Sequence, residues 1–400
     1  MIKFKKLFIY KFLTINIIVL ILFSAGCSSF IKVPPESNGL SLQKVNFYNI
    51  PSWEDDNHGY ALAAFKKSCS VLLHQPFKNL VIDEIIKYKV NWSGACKIAL
   101  EMDHRNHHEA KMFFENWFVP YSISDGFSEE GLFTGYYEPE IRGSLTPSEI
   151  FRVPLYGLPS DLLFLNLRQF SDDLTNKRIV GRLDGSNFVP YFKREEIESG
   201  IEQLKGFEIA WIEDPVDAFF LHIQGSGRIL FDDGSSKRIG YAGSNGHKYY
   251  AIGRKLIANG QIPKHEMSMQ SIRKWLKENP SNAQDLINEN PSYIFFKWNN
   301  ELDTTLGPIG AQGVSLTEGR SLAIDRRYFT FGLPIWIETK LPEVNSIEKK
   351  DISRLVVAQD TGGAIRGIVR GDLFIGSGNK AGLIAGRMKE TGRYWVLLPK

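Results

Sequence analysis

Three aspartates in the C-terminal quarter of the chain stand where strand-like apolar runs meet glycine: Asp325 in "SLAIDRR", Asp360 in "VVAQDTGG" and Asp372 in "VRGDLFIG". A carboxylate between an apolar wall and a glycine-lined surface is poorly solvated, so its charged form is disfavoured and its pKa rises. Such an acid keeps its proton near neutral pH and can deliver it to a leaving oxygen. Asp372 has that setting most fully. Leu373, Phe374 and Ile375 follow it, and Gly371, Gly376 and Gly378 are expected to let a bulky ligand approach the backbone. Asp360 lies beside Thr361, Gly362 and Gly363, whose amides suit a hydrogen-bonded structural carboxylate. Asp372 is therefore assigned to proton transfer and Asp360 to its support. The competing reading is turn chemistry, since Asp before Gly commonly bends a backbone.

Upstream, "FTGYYEPE" places Thr134, Gly135, Tyr136 and Tyr137 together. Tyrosine faces stack on sugar rings and their hydroxyls bond ring substituents, so an aromatic pair flanked by glycine fits a carbohydrate groove. The same residues also suit a strand with one Tyr in the core and one outside. In "LHIQGSGRI", Gln224 and Ser226 are candidate donors to a glycan, while Gly225 and Gly227 suit either close ligand approach or a bulge. These glycines form no phosphate loop, because no Gly-Lys-Ser/Thr follows. His247 in "YAGSNGHKYY" reads as structural. Neither the cysteine spacing nor the eight scattered histidines forms a metal-ligand pattern, so no metal or cofactor is expected.

The elements that must hold these residues are legible in outline. From about 52 to 117 the apolar spacing is helical, as in "ALAAFKKSCSVLLHQ" and "AKMFFENWF". From "GLFTGYYEPEI" onward short apolar runs alternate with Gly, Pro and Asp-Gly, and the whole stretch "FEIAWIEDPVDAFFLHIQGSGRILFDDGSS" reads as β-rich. "SGRILFDDGSSKRIGYAG" predicts two strands joined by an Asp-Gly turn. Helical texture returns between 245 and 290, with Ser268 and Ser281 as caps. The last 90 residues are strand-like again in "LPIWIET", "RLVVAQDTGGAI" and "RYWVLL", with "GRSLAIDRRYFTFGLP" as a loop before them. This order predicts a mainly β core with peripheral helices rather than a doubly wound sheet.

With 43% hydrophobic and 12% aromatic residues the chain has a globular composition. Its formal charge of +3 comes from Lys3, Lys5, Lys6 and Lys11; the rest balances at 44 basic against 45 acidic residues, which gives no electrostatic case for nucleic acid as a partner. Residues 1–26 read as a signal peptide, with a lysine-rich start, an apolar run from Phe12 to Phe23 and a close on Ser24-Ala25-Gly26. Small residues directly before Cys27 resemble a bacterial lipoprotein cleavage site, although Ser24 stands where leucine is usual. That resemblance implies an acylated Cys27, a polar tether over 27–50, and, with Ser28 next, a place on the periplasmic face of the outer membrane. An uncleaved anchor or ordinary signal peptide is the alternative. Cys69 and Cys96 can pair in an oxidising compartment or remain two buried thiols.

The segments "GLFTGYYEPEI", "DPVDAFFLHIQGSGRI", "GYAGSNGHKYYAIGRKLI", "MSMQSIRKWL", "NPSYIFFK", "SLAIDRR" and "QDTGGAIRGIVRGDLFIGSG" together, and in this order, resemble the membrane-bound lytic murein transglycosylase A family over roughly residues 125–398. The resemblance implies a double-ψ β-barrel domain made from both ends of the mature chain. Residues 51–140 would carry the helical region and the first part of the barrel, 141–305 an inserted β-domain, and 306–400 the rest of the barrel, with a glycan groove between the domains. It implies Asp372 as the single catalytic acid and base, Asp360 and Asp325 as its support, and Thr134, Gly135, Tyr136, Tyr137, Gln224, Ser226 and Gly227 as substrate-binding residues. Peptidoglycan glycan strands would be the substrate, the outer-membrane bilayer the anchor through Cys27, and wall-synthesis or remodelling proteins further partners. A lysozyme-like hydrolase using water and a second acid, and a non-catalytic peptidoglycan-binding lipoprotein, are the competing functions.

Overall fold

The computed structural model describes residues 39–74, 92–171, 174, 178–299, 306–344, 346 and 348–400. The expected signal peptide and Cys27 lie outside the described residues. In chain order the strands are β1 (Ser41–Lys44), β2 (Phe118–Ser124), β3 (Gly131–Glu138), β4 (Glu140–Ser144), β5 (Val153–Tyr156), β6 (Leu163–Asn166), β7 (Arg178–Asp184), β8 (Asn187–Pro190) and β9 (Glu208–Ile212). They continue as β10 (Gly227–Leu230), β11 (Ser236–Ser244), β12 (Ile294–Asn299), β13 (Ser321–Ala323), β14 (Pro334–Pro342), β15 (Lys349–Asp360), β16 (Arg370–Ser377) and β17 (Lys389–Pro399). The helices that bear on the site are α1 (His58–Leu72), α2 (Trp92–Glu101), α3 (His107–Trp117), α4 (Pro215–Gln224), α5 (Met269–Glu278), α6 (Pro280–Asn288) and α7 (Gly378–Ala385).

Strands β17, β14, β15, β13, β16 and β3 follow one another in a sheet that closes when β3 pairs back onto β17, making a six-stranded barrel. Most pairings are antiparallel, but β13–β15 and β16–β3 are parallel. Phe133, Leu322, Leu373, Tyr394 and Val396 on one face of these strands and Trp336, Leu355 and Val357 on the other belong to one continuous apolar core. Helices α1 and α3 extend that core outward through Leu62, Phe65, Phe113 and Phe114, and a disulfide between Cys69 and Cys96 joins α1 to α2.

Between β3 and β13 the chain builds a second sheet in the order β12-β11-β10-β4-β9-β5, and a small three-stranded sheet β6-β7-β8. Helix α4 covers the second sheet with Ala218 and Leu221. Its other side, with Val216, Phe219 and Phe220, packs on Leu276 of α5 and on Leu286 and Ile287 of α6. The molecule is therefore mainly β with peripheral helices, a barrel interrupted by a second β unit.

Four local expectations need correction. Residues 215–224 form a helix, not a strand: Asp214 caps it by accepting from Val216 N–H at 2.8 Å, Pro215 opens its first turn, and Gly225 ends it at φ 78°. Its apolar residues run on because both faces are covered. Ser268 caps α5 as expected, accepting from Ser271 N–H at 3.1 Å, but Ser281 lies inside α6, which starts at Pro280. The "GRSLAIDRRYFTFGLP" segment contains strand β13, too short for an alternation signal and fully buried. Finally, "GHKYYAIGRKLIANG" is helical only over Gly253–Ala258.

Candidate active site

Strands β3 and β16 run parallel in a register that sets Thr134 beside Asp372 and Tyr136 beside Phe374. Because side chains alternate along a strand, Thr134 and Tyr136 share a face, as do Arg370 and Asp372. Thr134 Oγ1 donates to Asp372 Oδ1 at 2.5 Å and accepts from Arg370 Nη2 at 2.8 Å. Asp360 ends β15, and Ala323 of β13 pairs with both Asp360 and Asp372.

Asp360 is heavily hydrogen-bonded. Oδ1 accepts from the Ala311 and Thr361 N–H groups, each at 2.9 Å, and Oδ2 accepts from Tyr136 Oη–H at 2.8 Å. Its position is fixed from behind by Gln359, which donates from Nε2 to Ala64 O and to Ser68 Oγ of α1, both at 2.8 Å. Ser68 in turn donates to Gln312 Oε1 at 2.8 Å, securing the segment that carries the Ala311 amide. Asp325 lies apart from this pair. Its buried carboxylate accepts from Arg327 Nε at 3.0 Å and Gly367 N–H at 2.8 Å, tying the turn after β13 to the loop before β16.

The electrostatics separate the three acids. Burial pushes the Asp372 carboxyl up to about 6; Arg370 and the Thr134 hydroxyl pull it down, and Asp360 pushes it up. Burial likewise raises Asp360, against the two backbone amides and Tyr136. For Asp325 burial also opposes ionisation, but Arg327 and the Gly367 amide outweigh it and hold the carboxyl below its usual range. Burial, with Asp360 and Asp372 nearby, keeps the Tyr136 phenol well above its ordinary range, hence neutral and a donor.

Of the residues singled out from sequence, Thr134 with Asp372 and Tyr136 with Asp360 form two hydrogen-bonded pairs that influence each other electrostatically. Tyr137 faces elsewhere: its N–H donates to Gln224 Oε1 at 3.1 Å, and its buried ring lies where a Cβ on Gly382 would come within 2.8 Å of it. Gln224 and Ser226 flank the Gly225 turn between α4 and β10, on the second β unit. The glycines serve packing. A Cβ on Gly135 would sit 3.0 Å from Ile375, on Gly227 2.6 Å from Leu221, on Gly371 2.8 Å from Phe133 and on Gly376 2.9 Å from Glu318. The expectation that Gly371 and Gly376 admit a ligand is thus replaced by close approach of the protein's own side chains. Arg370 and the Ala311 amide were not anticipated. Arg370 was available as a residue two before Asp372 on a strand; the amide, from a segment 49 positions away, carried no signal.

The second β unit meets the barrel through a buried charge cluster. Glu138, at the end of β3, accepts from Arg238 Nε at 2.6 Å, from Arg228 Nε at 3.1 Å and from Ser377 Oγ of β16 at 2.7 Å. Among the described residues no group of three or more His, Cys, Asp or Glu is arranged to hold a metal ion.

The family model of the MltA-specific insert domain matches residues 132–297, and that of the 3D domain matches residues 320–398. The membrane-bound lytic murein transglycosylase A of Vibrio cholerae is 33% identical over 270 residues, covering 66% of this chain and 65% of that protein, so the match spans just under two thirds of the relative's length. The crystal structure of a membrane-bound lytic murein transglycosylase from Agrobacterium tumefaciens is similar with a TM-score of 0.77 and 34% identity over 90% of this chain and 98% of that one. The E. coli MltA structure with bound chitohexaose has a TM-score of 0.65 at 27% identity, covering 90% of this chain and 96% of that one. With the closed barrel, the interrupting β unit and the aspartate pair on its parallel strands, the chain belongs to the membrane-bound lytic murein transglycosylase A family.

Proposed function

We propose that this protein is a peptidoglycan lytic transglycosylase that cleaves the β-1,4 bond between N-acetylmuramic acid and N-acetylglucosamine and leaves 1,6-anhydro ends. One observation carries the reading: among the described residues only one of the paired acids has a carboxylate oxygen to spare. Asp360 uses both oxygens for three donors, whereas Asp372 makes a single side-chain hydrogen bond, through Oδ1. A hydrolase of the usual kind needs a second free carboxylate as nucleophile or as base for water. With one free acid, an internal nucleophile completes the chemistry.

Asp372, whose proton is retained up to about pH 6, gives that proton to the glycosidic oxygen as the anomeric C–O bond breaks and the bonding electrons leave with that oxygen. The muramic acid 6-hydroxyl then bonds to the anomeric carbon and surrenders its proton to the Asp372 carboxylate, which returns to its starting state. Holding that hydroxyl at the reacting carbon is worth roughly 7–11 kcal/mol of barrier. Asp360 and Asp325 hold the backbone around the acid. Thr134, Gly135, Tyr136, Tyr137, Gln224, Ser226 and Gly227 border a glycan groove between the barrel and a unit inserted over residues 141–305. Acylated Cys27 anchors the protein to the periplasmic face of the outer membrane, within reach of the wall and its remodelling proteins.

Mass spectrometry of muropeptides released from purified peptidoglycan, wild type beside Asp372→Asn, tests this. Products one water lighter than hydrolysis yields, absent with the variant, are expected. Reducing-end products would assign a hydrolase instead, and binding without products from either protein would assign a non-catalytic wall-binding role.

A further inference from the structure

Arg370 is a buried guanidinium, 7% exposed, with no carboxylate in direct contact among the described residues. Its hydrogen bonds go to the carbonyls of Leu132 and Gly371 and to Thr134 Oγ1. A guanidinium only donates, so Thr134 must accept from it, and the threonine's own proton is left to point at Asp372 Oδ1. The chain Arg370 to Thr134 to Asp372 is therefore directional. Oδ1 is held as an acceptor, and when the carboxyl is protonated its proton belongs on Oδ2.

We infer that Arg370 is a positioning residue that acts through Thr134, fixing which oxygen of Asp372 carries the transferable proton and supplying the counter-charge to the carboxylate that remains after transfer. This rests on the transglycosylase reading for the identity of the leaving group, but not for the behaviour of the acid. The other charged or titratable groups around Asp372 are Asp360 at the end of β15 and Tyr136 on β3, with Asp325 and Tyr394 beyond them; Lys389 of β17, opposite Thr134 in register, is exposed. Arg370 is thus the buried cation of the group, and its removal leaves Asp360 as the dominant neighbouring charge.

The test is the pH dependence of kcat/KM on purified glycan strands for wild type, Arg370→Gln, Arg370→Lys and Thr134→Val, with product masses recorded throughout. Loss of a nearby opposite charge raises an acid's pKa by about one unit or more. The descending limb, near pH 6 in the wild type, is expected to move upward by about that amount in Arg370→Gln and less far in Thr134→Val, with kcat falling roughly tenfold to a hundredfold. Arg370→Lys, which keeps the charge but not the fork, is expected to leave the limb near the wild-type position while kcat stays low. A limb that stays in place in both Arg370→Gln and Thr134→Val overturns the inference, whatever happens to kcat. Should Arg370→Gln not fold, Thr134→Val decides alone, since it breaks the relay and leaves the guanidinium in place. Wild-type reducing-end products would instead overturn the transglycosylase reading, while the limb shifts would still report on Arg370.

Discussion

Because burial raises the Asp372 carboxyl from 3.8 to about 6, the folded protein holds a proton there that the unfolded chain releases. The sign follows from that difference: stability from this site is fully present below pH 3.8 and is lost as pH rises through about 6. Asp372→Asn removes the cost of the ionised form, so thermal melts are expected to show the variant more stable at pH 8, by on the order of 2–3 kcal/mol, and no more stable at pH 3. On the proposed role of this group as proton donor, activity is expected to fall above about pH 6, read from a pH–rate profile. Asp325 has the opposite sign. Its carboxyl is held low, so its contribution is present above pH 3.8 and disappears as pH falls through its folded value. Asp325→Asn is expected to lower stability at pH 7 by roughly 2 kcal/mol, read by urea denaturation, because Arg327 and the Gly367 amide lose a charged acceptor.

The disulfide between α1 and α2 bears on the site through Ser68, the neighbour of Cys69, which receives Gln359 and holds Gln312. Breaking it, with the cysteines 27 positions apart, is expected to cost about 3 kcal/mol. Melting curves of Cys69→Ser/Cys96→Ser beside wild type measure this. How far such elements could be read in advance depended on local chemistry. The Ser236–Ser244 strand and its partner were legible because Asp-Gly turns and alternation are short-range signals, and Gly234 adopts φ 82° there. Helix α4 was misread because a helix buried on two sides loses its polar face, although its Asp-Pro start and glycine end were in view. Strand β13 was hidden because three buried residues carry no period at all. At the site, the acids and the neighbouring Thr361 amide were visible in the sequence, whereas the Ala311 and Tyr136 donors to Asp360 come from segments brought near only by the barrel.

On the scale of the whole molecule, Glu138 is the joint. It is fully buried and draws Arg228 and Arg238 of the second sheet and Ser377 of the barrel onto one carboxylate. Glu138→Gln removes the carboxylate charge that accepts from both arginines and from Ser377, and a loss of about 3–5 kcal/mol is expected by denaturant titration. Its partners lie 90, 100 and 239 positions away in sequence, so only their residue types, not their meeting, were available beforehand. The proposed anchoring belongs to this scale too: Cys27→Ala is expected to abolish incorporation of labelled fatty acid and release the protein from the membrane fraction.

Ring closure between β3 and β17 has a consequence in time. The strand that seals the barrel, Lys389–Pro399, is the latest in the chain, and it pairs with residues 131–134 near the beginning of the barrel. That edge of β3 is completed only when those eleven residues dock. Until then β3 has no partner on that edge, Thr134 waits beside an open seam, and the acid's surroundings cannot exclude water. Contacts of such sequence separation also form slowly. The protein thus has a built-in delay, with the surroundings of Asp372 completed only after this distant pairing has formed.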